Sequence, residues 1–426
     1  MKFSRVALPT MIALSIVIFS GTVSAQFHTY IPESSLPQKP DQQGNPMFHT
    51  NIRLLVPNAT QNSSGGQAAQ PAELPPFPGY LIETPASLAC IYGLAPRLDG
   101  CNPNLTTANP SGGSRAIALV DAFDDPTAVS DMATFTTQFG LPAADLTVVF
   151  ANGARPGLDP TGGWELEEAL DIEYSHAMAP QAQLFLVEAA DNSLANLFGA
   201  VVVASNLVAA AGGGEVSMSW GGAEFPQETE VDSLMATRGV VYFASAGDGP
   251  GTIYPSTSPN VVSAGGTSLS SDLTTGNFLL ENTWQDAGGG PSFYEPRPAF
   301  QNGVRFIVGN ARGTPDLSFD SNPYSGVWIF DTNPNAGIQE SALGTGWYAV
   351  GGTSVAAPSL AGIINAAGRF LPSSSAENAL IYAHIGNPED YNDIVYGDCG
   401  PYIAYFALPG YDLCTGVGSP KGLRGK

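Results

Sequence analysis

At 426 residues the chain can bury a large core, and one main domain behind an N-terminal extension is its natural division. Charge is sparse, at 12% Asp, Glu, Lys and Arg, and lopsided: 38 acidic residues face 15 basic ones, for a net charge of -23. That balance argues against nucleic acid or anionic lipid as a partner, since both are held by Lys and Arg.

Residues 1–25 read as a secretory signal peptide, which predicts a secreted protein, extracellular or periplasmic. Lys2 and Arg5 give the basic start, residues 6–19 the apolar stretch, and Val23-Ser24-Ala25 the small-residue cleavage site. An uncleaved anchor is the alternative, but the apolar stretch is short for a full span, and no later stretch is long and apolar enough to cross a bilayer. Residues 26–84 are rich in Pro, Gln, Asn and Ser. Such a segment buries too little apolar surface to fold alone and is expected to be a flexible pro-segment or linker, with islands such as 52–56 docking on the main domain. The main domain is expected to occupy 85–426.

Four cysteines in an exported chain suggest two disulfides. The local pairings are Cys90 with Cys101 and Cys399 with Cys414, each closing a loop worth about 2–3 kcal/mol. Two other connectivities stay open. The spacing does not suit zinc.

Strands and helices then alternate. Strands are expected at 116–120, 146–150, 184–187, 216–219, 240–244 and 261–264. Helices are expected at 125–138, with Asp125 as cap and Pro126 at the first position, and at 193–211 and 231–237. This order predicts an α/β fold with a largely parallel sheet covered by helices on both faces, whose ligand sites lie at the carboxyl ends of the strands. Residues 265–345, rich in Gly and Pro and without periodicity, are expected to form long surface loops.

Between the second and third strands, Leu166, Leu170 and Tyr174 recur every four residues and predict the buried stripe of a helix. Glu167 and Asp171 share another edge of it. Like charges one turn apart destabilise an isolated helix unless they share a proton. Glu165, Glu168 and Glu173 are expected on a solvated face. Later, the 240–244 strand runs into Ser245-Ala246-Gly247-Asp248-Gly249, which taken alone is a common Asp-Gly turn. Finally, an apolar run at 347–350 enters Gly351-Gly352-Thr353-Ser354-Val355-Ala356-Ala357-Pro358, followed by a helical pattern to 370. Glycines allow the tight turn, and Pro358 is expected in the first helical turn. A serine here stands at the positive end of a helix dipole, as an attacking hydroxyl requires, although a simple cap would look alike.

The Gly-Thr-Ser-x-x-x-Pro phrase resembles the nucleophile motif of subtilisins and of sedolisins, which share a fold. Glu167 to Asp171, with Leu170-Asp171-Ile172-Glu173 and the following Ala179-Pro180, resembles the sedolisins, the serine-carboxyl peptidases, in which a Glu-x-x-x-Asp helix replaces the histidine and aspartate of subtilisin. The resemblance covers 85–426 and implies a subtilisin-like fold and a protein or peptide substrate cut in acid; the chain is expected to be a monomer. It implies Ser354 as nucleophile, Glu167 as its general base, and Asp171 hydrogen-bonded to Glu167 and tuning it. A carboxylate remains a base at a pH where imidazole is already protonated. Asp248 falls where subtilisins place an asparagine and would donate to the oxyanion only when protonated. Composition agrees with acid: once the carboxylates are neutral, only 15 Lys and Arg and four His stay charged.

The same resemblance implies that Ser219, Trp220 and Gly221 pair with the substrate backbone, with Trp220 near the catalytic network; a core tryptophan is the competing reading. It also implies one structural Ca2+, held by Asp393 and Asp412 and by the carbonyls of Ile394, Leu408 and Gly410. Leu408 stands where the family usually has glycine.

Two rivals differ in chemistry. A subtilisin-type triad of Asp121, His176 and Ser354 has the right chain order but lacks the His-Gly-Thr opening, and His28, His49 and His384 lie in the wrong regions. A catalytically silent secreted binding protein on the same scaffold is the other. Sedolisins carry a long folded pro-domain and a C-terminal helix after the calcium site, and here both are short.

Overall fold

A computed structural model describes residues 27–42, 44–58, 74–77, 80–333, 346–401 and 405–426. The signal-peptide reading of 1–25 lies outside these. The central sheet has eight strands. Seven run in the order Phe278–Thr283, Val262–Ser271, Val240–Ser245, Gly214–Met218, Ala116–Ala122, Gln183–Ala189, Asp145–Phe150, and Leu317–Asp320 pairs with Val262–Ser271 off that path. All pairings are parallel except that of Phe278–Thr283.

Parallel strands covered on both faces read as continuous apolar runs, and the Ala116–Ala122 strand divides its side chains accordingly. Ala116, Ala118 and Val120 pack with Leu197, Val201 and Val208 of the Leu194–Ala210 helix; Ile117 and Leu119 face the opposite cluster. That second cluster holds Leu166 and Leu170 of the Gly163–Met178 helix and Val355 and Leu360 of the Thr353–Ala367 helix. These two helices pack directly on each other. Gly362 is where they meet: a Cβ there would stand 2.8 Å from Met178 Cβ and 2.9 Å from the Ser175 carbonyl. The close approach brings Glu167 and Ser354 onto one spot. Among the described residues no helix is long and apolar enough to cross a membrane.

Several expectations need correcting. The 26–84 segment is ordered where it is described. Phe27–Tyr30 pairs antiparallel with Arg53–Pro57, which pairs with Trp347–Gly351, which in turn pairs with Val327–Phe330. Its composition could not support a fold alone, but Ile52, Leu54, Leu55 and Val56 bury themselves on the main domain. Residues 265–345 are not loops throughout. They supply Phe278–Thr283, Gly290–Pro296, Ala311–Thr314, Leu317–Asp320 and Val327–Phe330, strands too short for periodicity to reveal. The expected 231–237 helix is displaced to Glu228–Val231 followed by a 3-10 turn, and the 125–138 helix begins at Ala128, with Asp125 accepting from the Thr127 N–H. Both local disulfides form, Cys90–Cys101 and Cys399–Cys414, with Cα separations of 5.3 and 5.6 Å.

Candidate active site

Ser354 is the second residue of the Thr353–Ala367 helix, which follows the Trp347–Gly351 strand through Gly352. Gly352 has φ 105, and a Cβ there would sit 2.0 Å from the Asn51 carbonyl oxygen and 2.7 Å from Asp248 Oδ2, so only glycine fits the turn. Pro358 stands in the second turn rather than the first. Its missing N–H leaves the Ser354 carbonyl free, and the Ser219 hydroxyl lies 3.3 Å from that oxygen instead.

The Ser354 side chain is buried. Its hydroxyl donates to the Ser219 carbonyl at 3.0 Å and accepts from the Asn51 N–H at 3.2 Å. It also faces the Glu167 carboxyl, neither of whose oxygens has a hydrogen-bond partner. Burial first, and then the charges of Asp171 and Asp121, push Glu167 well above the usual carboxyl range, while the Ser354 hydroxyl acts in the opposite direction. Asp171 is pushed up by burial and by Asp121, opposed by the Ser219 hydroxyl 2.6 Å from its Oδ1. No hydrogen bond joins Asp171 to Glu167: the expected link is replaced by one to Ser219, and the two carboxyls interact through charge alone. Asp121, near the end of its strand and with both oxygens unpartnered, is raised to about 8 by burial. Three buried carboxyls this close cannot all ionise, so they hold protons in common.

Asp248 follows the Val240–Ser245 strand. Its Oδ1 accepts from the Thr353 N–H at 2.8 Å and the Thr353 hydroxyl at 2.9 Å. Its Oδ2 has no hydrogen-bond partner and lies 3.5 Å from Arg53 Nε. Burial raises the carboxyl to about 7, and the Arg53 charge is the largest influence pulling it back. In acid it therefore carries a proton, and its free oxygen borders the same spot beside Gly352 as the Asn51 carbonyl oxygen.

The 47–53 segment fills this site. His49 and Thr50 pair antiparallel with Gly221 and Trp220. The Asn51 N–H also lies 3.3 Å from the Ser219 carbonyl, and the Asn51 carbonyl accepts from the Ser354 N–H at 3.1 Å. Thus Ser219, Trp220 and Gly221 do present backbone to an extended chain. The Trp220 ring itself is a core residue, packed against Phe48 and Phe198 with Nε1 donating to the Val120 carbonyl at 2.7 Å.

The acidic helix has no solvated face. Glu165, Glu168 and Glu173 are fully buried because the helix lies between the central sheet and the sheet built on 27–57. Glu165 accepts from the Asp159 N–H at 2.9 Å and Glu173 from the Phe330 N–H at 3.2 Å, whereas both oxygens of Glu168 lack partners and burial pushes it well up. The Asp121–His176–Ser354 triad is excluded: His176 Nε2 bonds the Pro142 carbonyl at 2.7 Å, at the far end of the helix from Ser354.

Near the C-terminus, both Asp393 oxygens accept from the Gly410 N–H at 3.0 Å. Asp412 accepts from the Leu408 N–H at 3.0 Å and from the Cys414 and Thr415 N–H groups at 2.8 Å. The Thr415 hydroxyl also lies 3.2 Å from both Asp412 oxygens, so the two carboxylates bracket one loop, Asp393 with the fewer donors. Among the described residues no group of three or more His, Cys, Asp or Glu gathers for a metal. Further ligands would therefore be carbonyls, such as those of Ile394, Leu408 and Gly410, and this all-oxygen set fits a hard cation of the calcium type.

Sequence reasoning missed Asn51 and Arg53 as parts of this site and placed Asp121 beside Ser354 only as a member of the rival triad. Only the apolar island after Asn51 signalled that the segment docks.

No family model matches the chain. Kumamolisin of Bacillus sp. (strain MN-32) is 28% identical over 376 residues, covering 80% of this chain and 62% of its own. Sedolisin of Pseudomonas sp. (strain 101) is 26% identical over 355 residues, covering 73% and 57%. The chain thus spans about three fifths of the length of these curated relatives. Xanthomonalisin of Xanthomonas sp. (strain T-22) is 30% identical over 191 residues, 39% of this chain and 21% of its own. Among solved structures, Pseudomonas sedolisin, a serine-carboxyl proteinase complexed with two molecules of pseudo-iodotyrostatin, superposes with a TM-score of 0.64 at 22% identity, over 80% of this chain and 95% of that one. A psychrophilic protease, S41, gives 0.51 at 17%, over 80% and 99%. Both share the fold.

Proposed function

Because the chain belongs to the sedolisin family and has its subtilisin-like α/β fold, we propose that it is a secreted, acid-acting serine-carboxyl endopeptidase. One observation carries the reading: a peptide carbonyl, that of Asn51, accepts from the Ser354 N–H while the Ser354 hydroxyl faces Glu167 and the unpartnered oxygen of Asp248 borders the same spot beside Gly352 as that carbonyl.

In this mechanism Ser354 Oγ attacks the scissile carbonyl and Glu167 takes its proton. A raised pKa makes Glu167 a stronger base for that proton, and the fraction ionised in the coupled cluster is the working form. Asp171 acts on Glu167 through its charge and anchors Ser219, a positioning role. The Ser354 N–H and protonated Asp248 donate to the oxyanion. Glu167 returns the proton to the leaving amine, and water then hydrolyses the acyl-enzyme. Ser219, Trp220 and Gly221 hold the substrate backbone by strand pairing. One Ca2+, held by Asp393, Asp412 and the carbonyls of Ile394, Leu408 and Gly410, would tie the C-terminal loops together. Export would follow from residues 1–25, and the chain would act as a monomer.

The experiment is digestion of an unfolded protein by the purified chain from acidic to neutral pH, with the cuts mapped. Cleavage within chains in acid, lost in Ser354→Ala, supports the reading. No cleavage at any pH returns the chain to a binding role.

A further inference from the structure

Residues 49–53 lie across the site in the pose of a substrate, and the side chain at its centre has its own pocket. The Asn51 side chain is buried, and its Nδ2 donates to Ser245 Oγ at 2.7 Å. Ser245 is the last residue of the Val240–Ser245 strand and is itself fully buried. On one side Thr50 hydrogen-bonds through Oγ1 to the hydroxyls of Ser34 and Ser35, at 2.9 and 2.7 Å. On the other, Arg53 bonds the Asp248 carbonyl and reaches Asp286 at 2.8 Å. The segment is thus pinned on both sides of Asn51, with the Asn51 carbonyl against the Ser354 N–H.

We propose that Ser245 makes this peptidase select asparagine on the acyl side of the bond it cuts, and that the chain's own Asn51–Ile52 bond is the first such bond. The inference rests on the serine-carboxyl peptidase reading above. Ser354 Oγ bonds to the Asn51 carbonyl carbon and the bond to the Ile52 nitrogen breaks. That nitrogen leaves with the proton Glu167 took from Ser354. One water then splits the ester, giving a carboxyl group on Asn51 and restoring the serine. A leucine in place of asparagine would leave the buried Ser245 hydroxyl without a partner, and a site built to hydrogen-bond a group discriminates against analogues lacking it. After the cut the pieces stay associated, because Phe27–Tyr30 remains paired with Arg53–Pro57.

The test uses the full chain held at pH 4, then denatured and weighed by mass spectrometry, together with two nonapeptides spanning 47–55, one native and one Asn51→Leu. The chain should yield new ends at Asn51 and Ile52, absent in Ser354→Ala. The native peptide should be cut about tenfold to hundredfold faster than the leucine peptide, and Ser245→Ala should bring the two rates within a few-fold of each other. Peptide cleavage with no cut at Asn51–Ile52, or an asparagine preference unchanged by Ser245→Ala, would overturn this inference and leave the peptidase reading standing. Absence of any Ser354-dependent cut would overturn both.

Discussion

Replacing Asp248 by asparagine separates the acid requirement of the oxyanion donor from every other acid requirement of the site. The wild-type carboxyl, raised to about 7 by burial, donates only while protonated. Above that pH its neutral fraction falls about tenfold per unit, to about one-tenth at pH 8 and about one-hundredth at pH 9. Losing one oxyanion donor costs about 10²–10³ in turnover, or about 2.7–4 kcal/mol, which sets the floor of that fall. An amide donates at every pH, and its oxygen can keep the Thr353 bonds now made by Oδ1. The assay is kcat/KM for a peptide from pH 3 to 9, with circular dichroism on the same samples. Asp248→Asn should match the wild type within a few-fold in acid and gain on it by about tenfold per unit above about pH 7, while Asp248→Ala should lose about 10²–10³ in acid. Parallel decline of the wild type and Asp248→Asn while both remain folded would refute the donor assignment.

Glu83 and Asp121 are each raised to about 8 by burial, so the folded chain keeps protons that the unfolded chain releases near pH 4. Their contribution to stability is complete below about pH 4 and is lost as pH rises toward 8, with a ceiling of about 5 kcal/mol each. The melting temperature should peak in acid and drop by more than about 5 °C by pH 8; a rise with pH would contradict the buried-acid account. Chelator should lower the melting temperature of the chain purified with calcium and leave Asp412→Asn unaffected, whereas equal responses would argue against the Asp393 and Asp412 site. Reducing the disulfides should cost about 2–3 kcal/mol per bridge in denaturant titrations, with Cys399→Ser mainly loosening the 405–415 region in hydrogen exchange; unchanged midpoints would contradict that role.

What the sequence could convey was local. The Gly352-Thr353-Ser354 turn and the 167–171 spacing depend on neighbours within one helical turn, and both stand where the motifs put them. The carboxylates of Glu165, Glu168 and Glu173 were misjudged because periodicity reports which residues share a face, not what a distant segment lays over it. Phe330 bonds Glu173 from 157 positions away. Asn51 was invisible for the same reason: it reaches Ser354 across 303 positions, from a stretch whose composition favours disorder. The strands between 278 and 330 are four to seven residues long, so strand pairing rather than pattern holds them.

The central claim is that a carboxyl group does the work of an imidazole at Ser354. It is tested most directly by kcat/KM at pH 4 for Glu167→Gln beside the wild type and Ser354→Ala. The amide keeps the shape of the side chain and removes the base, so the account predicts a loss of about 10²–10⁴ with the fold intact. Turnover by Glu167→Gln within a few-fold of the wild type would contradict it.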